Sequence, residues 1–171
     1  MITGKYPSLR LRRSRKNSWS RRLVSENNLS PSDFILPIFL IEGKNKTQPI
    51  KSMPGVNRYS INRLGIILDR AVKNDIPMVA LFPYTSSKLK NDLGSEALNE
   101  DNLVCKAIKY IKKRYKNKIG IMCDVALDPY TKHGHDGILK SNNIMNDETI
   151  EILIQQSLLQ AQMGCDVLAP S

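Results

Sequence analysis

The residues with the strongest claim to chemistry lie in one stretch, IGIMCDVALDPYTKHGHDG, from Ile119 to Gly137. Its first half, Ile119 to Leu127, is apolar and carries a single carboxylate, Asp124. That pattern predicts a strand buried on both faces. Asp128-Pro129 then ends the strand and opens a polar loop holding His133, His135 and Asp136. A buried strand that delivers carboxylates into a polar loop is how α/β proteins build sites at strand C-terminal ends. A carboxylate there can hydrogen-bond a substrate amine or hydroxyl, or move a proton; it can also bond neighbouring backbone. His133 and His135 flank Gly134, and a ligand pair at that spacing is weakly specific.

The rest of the chain supplies elements that would hold this strand. Ser20 to Asn28 reads as a short helical turn, and Ser30-Pro31-Ser32-Asp33 as a boundary. Phe34 to Ile41 reads as a first buried strand, which Pro37 marks as an end or edge. Residues 42 to 59 read as loop. Ser60 fits the N-cap of a helix to Asn74 with Ile61, Leu64, Ile67, Leu68, Ala71 and Val72 inward. A second strand, Met78 to Phe82, ends at Pro83, and a long polar loop runs from Tyr84 to Glu100. Asp101 to Lys116 has helical spacing, with Leu103, Val104, Ala107, Ile108 and Ile111 inward and cations in the last turns, where they offset the helix dipole. After the central strand, Asn146 or Asp147 would cap a third helix, Glu148 to Met163, with Ile150, Leu153, Ile154, Leu158 and Ala161 inward and Gly164 at C′. A fourth strand, Cys165 to Ala169, comes last.

The order β-α-β-α-β-α-β with apolar strands implies a parallel sheet with right-handed crossovers. Four such units are half of a (β/α)8 barrel. An apolar strand with no covering helix after it leads to the expectation that the chain is incomplete. The domain reading is a basic N-terminal arm, residues 1–33, followed by the first four strands and three helices of a barrel, residues 34–171.

Composition narrows the function classes. At 171 residues, 41% of them hydrophobic, a sizeable core is within reach. No stretch approaches the roughly 18 apolar residues of a membrane span, and no apolar run follows the N-terminal charges, so a soluble, cytoplasmic chain is expected. Cys105, Cys123 and Cys165 are odd in number, far apart and inside apolar runs, which favours buried free thiols over disulfides or a zinc knuckle. Of the net charge of +10, +8 lies in residues 1–22, which hold no acid, leaving +2 for the other 149. The basicity belongs to an arm. Such an arm can bind nucleic acid or lie across a partner subunit; Tyr6 and Trp19 are its only aromatics, few for a stacking surface.

The stretch DVALDPYTKHGHDG, Asp124 to Gly137, resembles the metal-site signature of the porphobilinogen synthase (δ-aminolevulinic acid dehydratase) family. SWSRRLVSENNLSPSDFILPIFLIEG, MPGV, LFPY, GSEALNEDNLV and GCDVLAPS agree in order over residues 10 to 171. The resemblance implies a (β/α)8 barrel behind an extended arm that clasps a neighbouring subunit, in a homo-oligomer that is usually an octamer. It implies condensation of two 5-aminolevulinate molecules to porphobilinogen with loss of two waters, in tetrapyrrole (heme) biosynthesis. With the arm as a subunit clasp, neither nucleic acid nor membrane is expected as a partner. Asp124 corresponds to a carboxylate near the first-bound substrate, and Ser171 to a serine that contacts the same substrate. Zinc-dependent members have cysteines where this chain has Ala126, Asp128 and Asp136, so no zinc is expected. Carboxylates suit hard cations, Mg2+ or K+, which makes Asp128 and Asp136 metal candidates; both also fit turn hydrogen bonds.

The family forms Schiff bases through two lysines, and their motifs lie beyond Ser171. No lysine here substitutes: Lys106, Lys109, Lys112 and Lys113 fall on a solvated helix face, and Lys132 and Lys140 in polar loops. This chain alone is therefore expected to be inactive. Two rival readings are a non-catalytic remnant that binds other subunits through its arm, and a nucleic-acid-binding module using that arm.

Overall fold

The structure, a computed structural model, describes residues 4–171. In chain order its elements are α1 (Ser18–Leu23), β1 (Ile35–Ile41), β2 (Thr47–Pro49), β3 (Asn57–Tyr59), α2 (Gly65–Lys73), β4 (Met78–Tyr84), α3 (Leu103–Tyr115), β5 (Gly120–Val125), β6 (Leu139–Lys140), β7 (Asn143–Ile144), α4 (Asn146–Gln162) and β8 (Val167–Pro170). They fall into two compact units that divide between Ser30 and Pro31.

The first unit is the basic arm. Its guanidinium groups serve backbone carbonyls: Arg13 donates to the Ser8 carbonyl at 2.9 Å, and Arg21 to those of Arg15 and Lys16 at 3.0 Å each. Arg10 lies over the Tyr6 ring, 4.9 Å from its centroid. The helix α1 begins at Ser18, two residues before the expected turn, because the Ser20 hydroxyl closes the N-terminal turn against Asn17.

The second unit is built on a sheet of order β2-β3-β1-β4-β5-β8. Its four long-range members, β1, β4, β5 and β8, are parallel neighbours in chain order, which is the strand arrangement of a (β/α)8 barrel. Residues of alternate parity face opposite ways. Ile38, Leu40, Val79, Leu81, Ile121 and Cys123 face the helices and form the main core with Leu64, Leu68 and Ala71 of the α2 segment and Ala107, Ile108 and Ile111 of α3. The other face carries rows such as Pro37, Ala80, Met122 and Val167, aligned across four strands. Above that row Phe39 stacks on Phe82, with ring centroids 5.7 Å apart.

Several expectations need correction. The central strand is not buried on both faces: Ile121, Cys123 and Val125 are buried, whereas Gly120, Met122 and Asp124 are half-exposed on the other face. Residues 42–59 are not all loop, since β3 adds to β1 in parallel and β2 pairs antiparallel with β3. Ser60 holds the N-cap position, but of a short 3-10 turn, Ile61–Arg63, that leads into α2, and its hydroxyl makes no capping bond: it accepts from the Lys46 N–H and donates to the Asn62 Oδ1. The second strand passes through Pro83 to Tyr84. A two-residue hairpin, β6–β7, turns through Ser141 and Asn142, both with positive φ.

The third helix departs most. Asn146 and Asp147 lie inside α4, after Met145 at the N-cap. Ile150, Ile154 and Leu158 are 46, 47 and 59% exposed, and Ala161 is exposed as well. The buried positions are Thr149, Gln156, Leu159 and Gln160. Leu153 packs against Ala97, Leu127 and Tyr130 as expected, but the helix is apolar on two sides and spacing alone misplaced the other four; hydrogen bonds from the two glutamines hold the observed orientation. Gly164 does occupy the C′ position, with φ +101°.

Cys105 and Cys123 are buried free thiols, and Cys165 is a half-buried one. Among the described residues no helix is long and apolar enough to cross a membrane.

Candidate active site at the C-terminal end of the central strand

Asp124 sits at the end of β5, opposite Ala169 of β8. Its side chain leaves the sheet on the face away from the helices, because the buried neighbours Cys123 and Val125 take the other. Beyond it the chain stays buried through Ala126 and Leu127 and then turns, with the Tyr130 and Thr131 amides donating to the Leu127 carbonyl at 2.8 and 2.9 Å. Asp128 is exposed at the start of this turn.

The loop returns Asp136 to the strand end. Its Oδ1 accepts from the Leu127 N–H at 2.6 Å. Three carboxylates thus gather within electrostatic reach of one another. Burial, then the charges of Asp128 and Asp136, push the Asp124 carboxyl up from its ordinary range. Burial and Asp136 push Asp128 up as well, against an opposing hydrogen bond from its own backbone and the charge of Lys90. Like charges gathered in a half-buried strand end, only partly offset by Lys90, make this a candidate functional site.

The two histidines are used inside the loop. The His133 Nδ1 accepts from the His135 N–H at 3.2 Å, and its Nε2 lies 3.4 Å from the Asp92 carbonyl. The rings are 5.6 Å apart. The Thr131 hydroxyl donates to the His135 carbonyl at 2.9 Å. Ser171, at the end of β8, has its N–H on the Val125 carbonyl at 3.2 Å, which brings it to the same end of the sheet as Asp124.

Among the described residues no three His, Cys, Asp or Glu side chains stand close enough together to hold a metal ion. The carboxylate oxygens at this strand end are donors of the kind a hard cation could take. Asp128 and Asp136 offer carboxylate oxygens whose mutual repulsion a cation would relieve. All three cysteines pack on the helix side, Cys105 and Cys123 in the core and Cys165 against it.

Sequence reasoning missed four contributors. Lys90 brings its ammonium 3.4 Å from the Asp128 carbonyl oxygen, and Asn91 bridges to Thr131; both lie in the 84–100 loop, whose length was the only signal. Gln156 and Gln160 of α4 donate to the Ala126 and Asp124 carbonyls at 3.2 and 3.0 Å. Their i, i+4 spacing was legible, but not their burial.

A parallel βα sheet with carboxylates collected at the C-terminal strand ends is the architecture of a (β/α)8-barrel enzyme. The family model for delta-aminolevulinic acid dehydratase matches residues 8–171, and the chain belongs to that family. The dehydratase of Bradyrhizobium diazoefficiens is 52% identical over 164 residues, covering 96% of this chain and 46% of that one. That of Chlamydia pneumoniae is 40% identical, covering 96% and 49%. A crystal structure of the Toxoplasma gondii enzyme in complex with its reaction product porphobilinogen superposes with a TM-score of 0.87 at 38% identity, over 95% of this chain and 46% of that chain. The chain thus spans about half the length of the relatives it matches.

Proposed function

We propose that this chain supplies the N-terminal half of the barrel of a porphobilinogen synthase, which condenses two 5-aminolevulinate molecules to porphobilinogen with loss of two waters in heme biosynthesis. The observation that carries this reading is the convergence of Asp124, Asp128 and Asp136 at the end of β5, in a chain whose family relatives include one crystallised with porphobilinogen. Asp124 and Ser171 bind the substrate. Asp124, half-buried and with its carboxyl raised by burial and then by Asp128 and Asp136, is suited to accept from the substrate amine or hydroxyl and to take part in proton movement.

Asp128 and Asp136 hold a hard cation, Mg2+ in preference to Zn2+, with K+ as the monovalent option. A bound Mg2+ would neutralise the gathered carboxylates and polarise substrate oxygens. The amines that form Schiff bases with the ketone substrate come from polypeptide outside this sequence. Within it, Lys112 and Lys140 are paired with Asp166 and Glu148, and Lys106, Lys109, Lys113 and Lys132 are exposed, so nothing desolvates them into neutral nucleophiles. The basic arm clasps another subunit in a homo-octamer, and the assembly works in the cytoplasm.

The test is complementation. The purified chain alone is expected to form no porphobilinogen from 5-aminolevulinate. Mixed with the polypeptide that covers the remaining length of the Bradyrhizobium relative, it is expected to form it, and Asp124→Asn is expected to lower the rate about 10²-fold or more. Porphobilinogen formation by the chain alone, or none from a mixture that has assembled, overturns the reading.

A second reading is favoured by the arm's being a compact unit of its own. In it the chain is a non-catalytic partner that binds full-length subunits through residues 1–33. Co-purification with an intact dehydratase, lost on deleting residues 1–22, supports it.

A further inference from the structure

Along β5, backbone groups of odd-numbered residues face β8 and those of even-numbered residues face β4. The Asp166 N–H donates to the Ile121 carbonyl at 3.0 Å and the Ser171 N–H to Val125 at 3.2 Å, whereas the Gly120 N–H donates to the Pro77 carbonyl of the β4 side at 2.8 Å. A parallel ladder repeats every second residue. With Met78 opposite Gly120 and Leu81 opposite Cys123, the next donor due to the Asp124 carbonyl is the N–H of residue 83. Residue 83 is proline and has none. The β4–β5 register accordingly stops at Leu81 and Cys123, one rung below the carboxylate cluster.

Two side chains of α4, one turn apart, bond the carbonyls at this strand end, Gln160 at the position that Pro83 leaves vacant and Gln156 one step beyond it. Gln160 Nε2 donates to the Asp124 carbonyl at 3.0 Å, and Gln156 Nε2 to the Ala126 carbonyl at 3.2 Å. The glutamines are 2 and 1% exposed, and both Oε1 atoms are buried without a hydrogen-bond partner. Burying a primary amide with its acceptor idle is costly, so stability alone would favour an apolar residue and a complete ladder.

We infer that Gln156 and Gln160 are positioning residues, which hold the C-terminal end of β5, and with it the Asp124 carboxylate, where Pro83 withdraws a ladder donor and the β4–β5 pairing ends. The strands part above Leu81 and Cys123, and the amides fix the open end from the helix layer. The inference rests on the reading of Asp124 as a site residue.

The test uses backbone hydrogen exchange and carboxyl titration of the full chain, neither of which needs substrate or turnover. In Gln160→Leu the amides of Leu127 and Ser171 are expected to exchange at least ten-fold faster, with the Ile121 amide unchanged. The Asp124 titration midpoint, followed by carbon NMR, is expected to fall as its strand end gains water. Pro83→Ala added to Gln160→Leu restores a ladder donor and is expected to return both readouts to wild-type values. An unchanged Leu127, Ser171 and Asp124 in Gln160→Leu, an equal acceleration at Ile121, or no recovery with Pro83→Ala overturns the inference. If Gln160→Leu does not fold, the double variant decides: folding with wild-type exchange supports the inference, and failure to fold overturns it. Failure of complementation would instead strike the substrate reading and leave these outcomes untouched.

Discussion

The Asp136 Oδ1 accepts the Leu127 main-chain N–H at 2.6 Å, so the far end of the 128–136 loop is tied to the residue at which it leaves the central strand. Leu127 is fully buried, and its N–H has this carboxylate as its partner. Replacing Asp136 with Ala strands a buried donor and is expected to cost about 1–3 kcal/mol in urea unfolding. Asp136→Asn keeps an acceptor oxygen and is expected to stay within about 0.5 kcal/mol of wild type. Equal losses from both variants would mean that charge, not the hydrogen bond, closes the loop.

Asp124 and Asp128 set a pH dependence with an unusual sign. Both carboxyls are raised in the folded chain, by burial first and neighbouring carboxylates second. Between the unfolded value and the raised folded value the folded state binds more protons than the unfolded one, so the stability from these groups is present at low pH and falls as pH rises through the folded pKa. Asp124→Asn is expected to flatten this fall, read as the urea midpoint from pH 4 to pH 8. If Asp128 and Asp136 hold Mg2+, added Mg2+ lowers the titration midpoints of Asp124 and Asp128, whereas NaCl at matched ionic strength does not.

The buried faces of α3 and α4 provide a contrast. Ile108 of α3 is fully buried among strand residues, and Ile108→Ala is expected to cost about 2–5 kcal/mol. Ile154 of α4 is 47% exposed, and Ile154→Ala is expected to cost no more than about 0.5 kcal/mol. A large loss at Ile154 would restore the orientation read from helical spacing.

That contrast also marks what the sequence makes legible. The face of α3 was readable because its apolar residues fall on one side and its lysines on the other. The α2 segment was readable for the same reason, and Leu64, Leu68 and Ala71 are buried as expected. In α4 apolar residues fall on two sides, and the choice between them depends on the Asp124 and Ala126 carbonyls, to which the two glutamines donate and of which the first lacks a ladder donor at Pro83. No local pattern in α4 carries that information. The candidate site at the end of β5 rests on one carboxylate in an apolar run followed by Asp-Pro, a pattern visible in the sequence. Lys90 was not, because a loop lysine gains meaning only from what the loop folds onto.

The loop before α3 is anchored by one asparagine. Asn102 Oδ1 accepts the Cys105 N–H at 2.8 Å as the N-cap, and its Nδ2 reaches the Glu96 and Ala97 carbonyls at 3.3 Å each. Asn102→Ala removes the cap and both loop contacts and is expected to cost about 0.5–2 kcal/mol or slightly more. Asn102→Asp keeps the cap but loses the donors, so it separates the two roles. Faster proteolysis of the 84–100 loop in Asn102→Asp, with little change in the urea midpoint, is the expected outcome.

Asp166 carries the opposite pH signature to Asp124. Burial pushes its carboxyl up, but hydrogen bonds from Lys112 and the Ile121 N–H, with the Lys112 charge, outweigh burial and hold it below the usual range. A depressed folded pKa gives stability that is present above the unfolded value and lost as pH falls through the folded one. The Lys112–Asp166 pair is 2.6 Å long but 29 and 42% exposed, so the ion pair contributes little after solvent screening. The contact that counts is the one to backbone: Asp166 Oδ2 accepts the Ile121 N–H at 2.8 Å, at the start of the central strand and deep under α3. Asp166→Ala is therefore expected to cost about 1–3 kcal/mol at pH 7, well above Lys112→Ala. Asp166→Asn, which keeps an acceptor for Ile121, should fall near Lys112→Ala and lose the acid-side decline. If Lys112→Ala and Asp166→Ala are equally damaging, the ion pair rather than the backbone hydrogen bond joins β8 to β5 at this end.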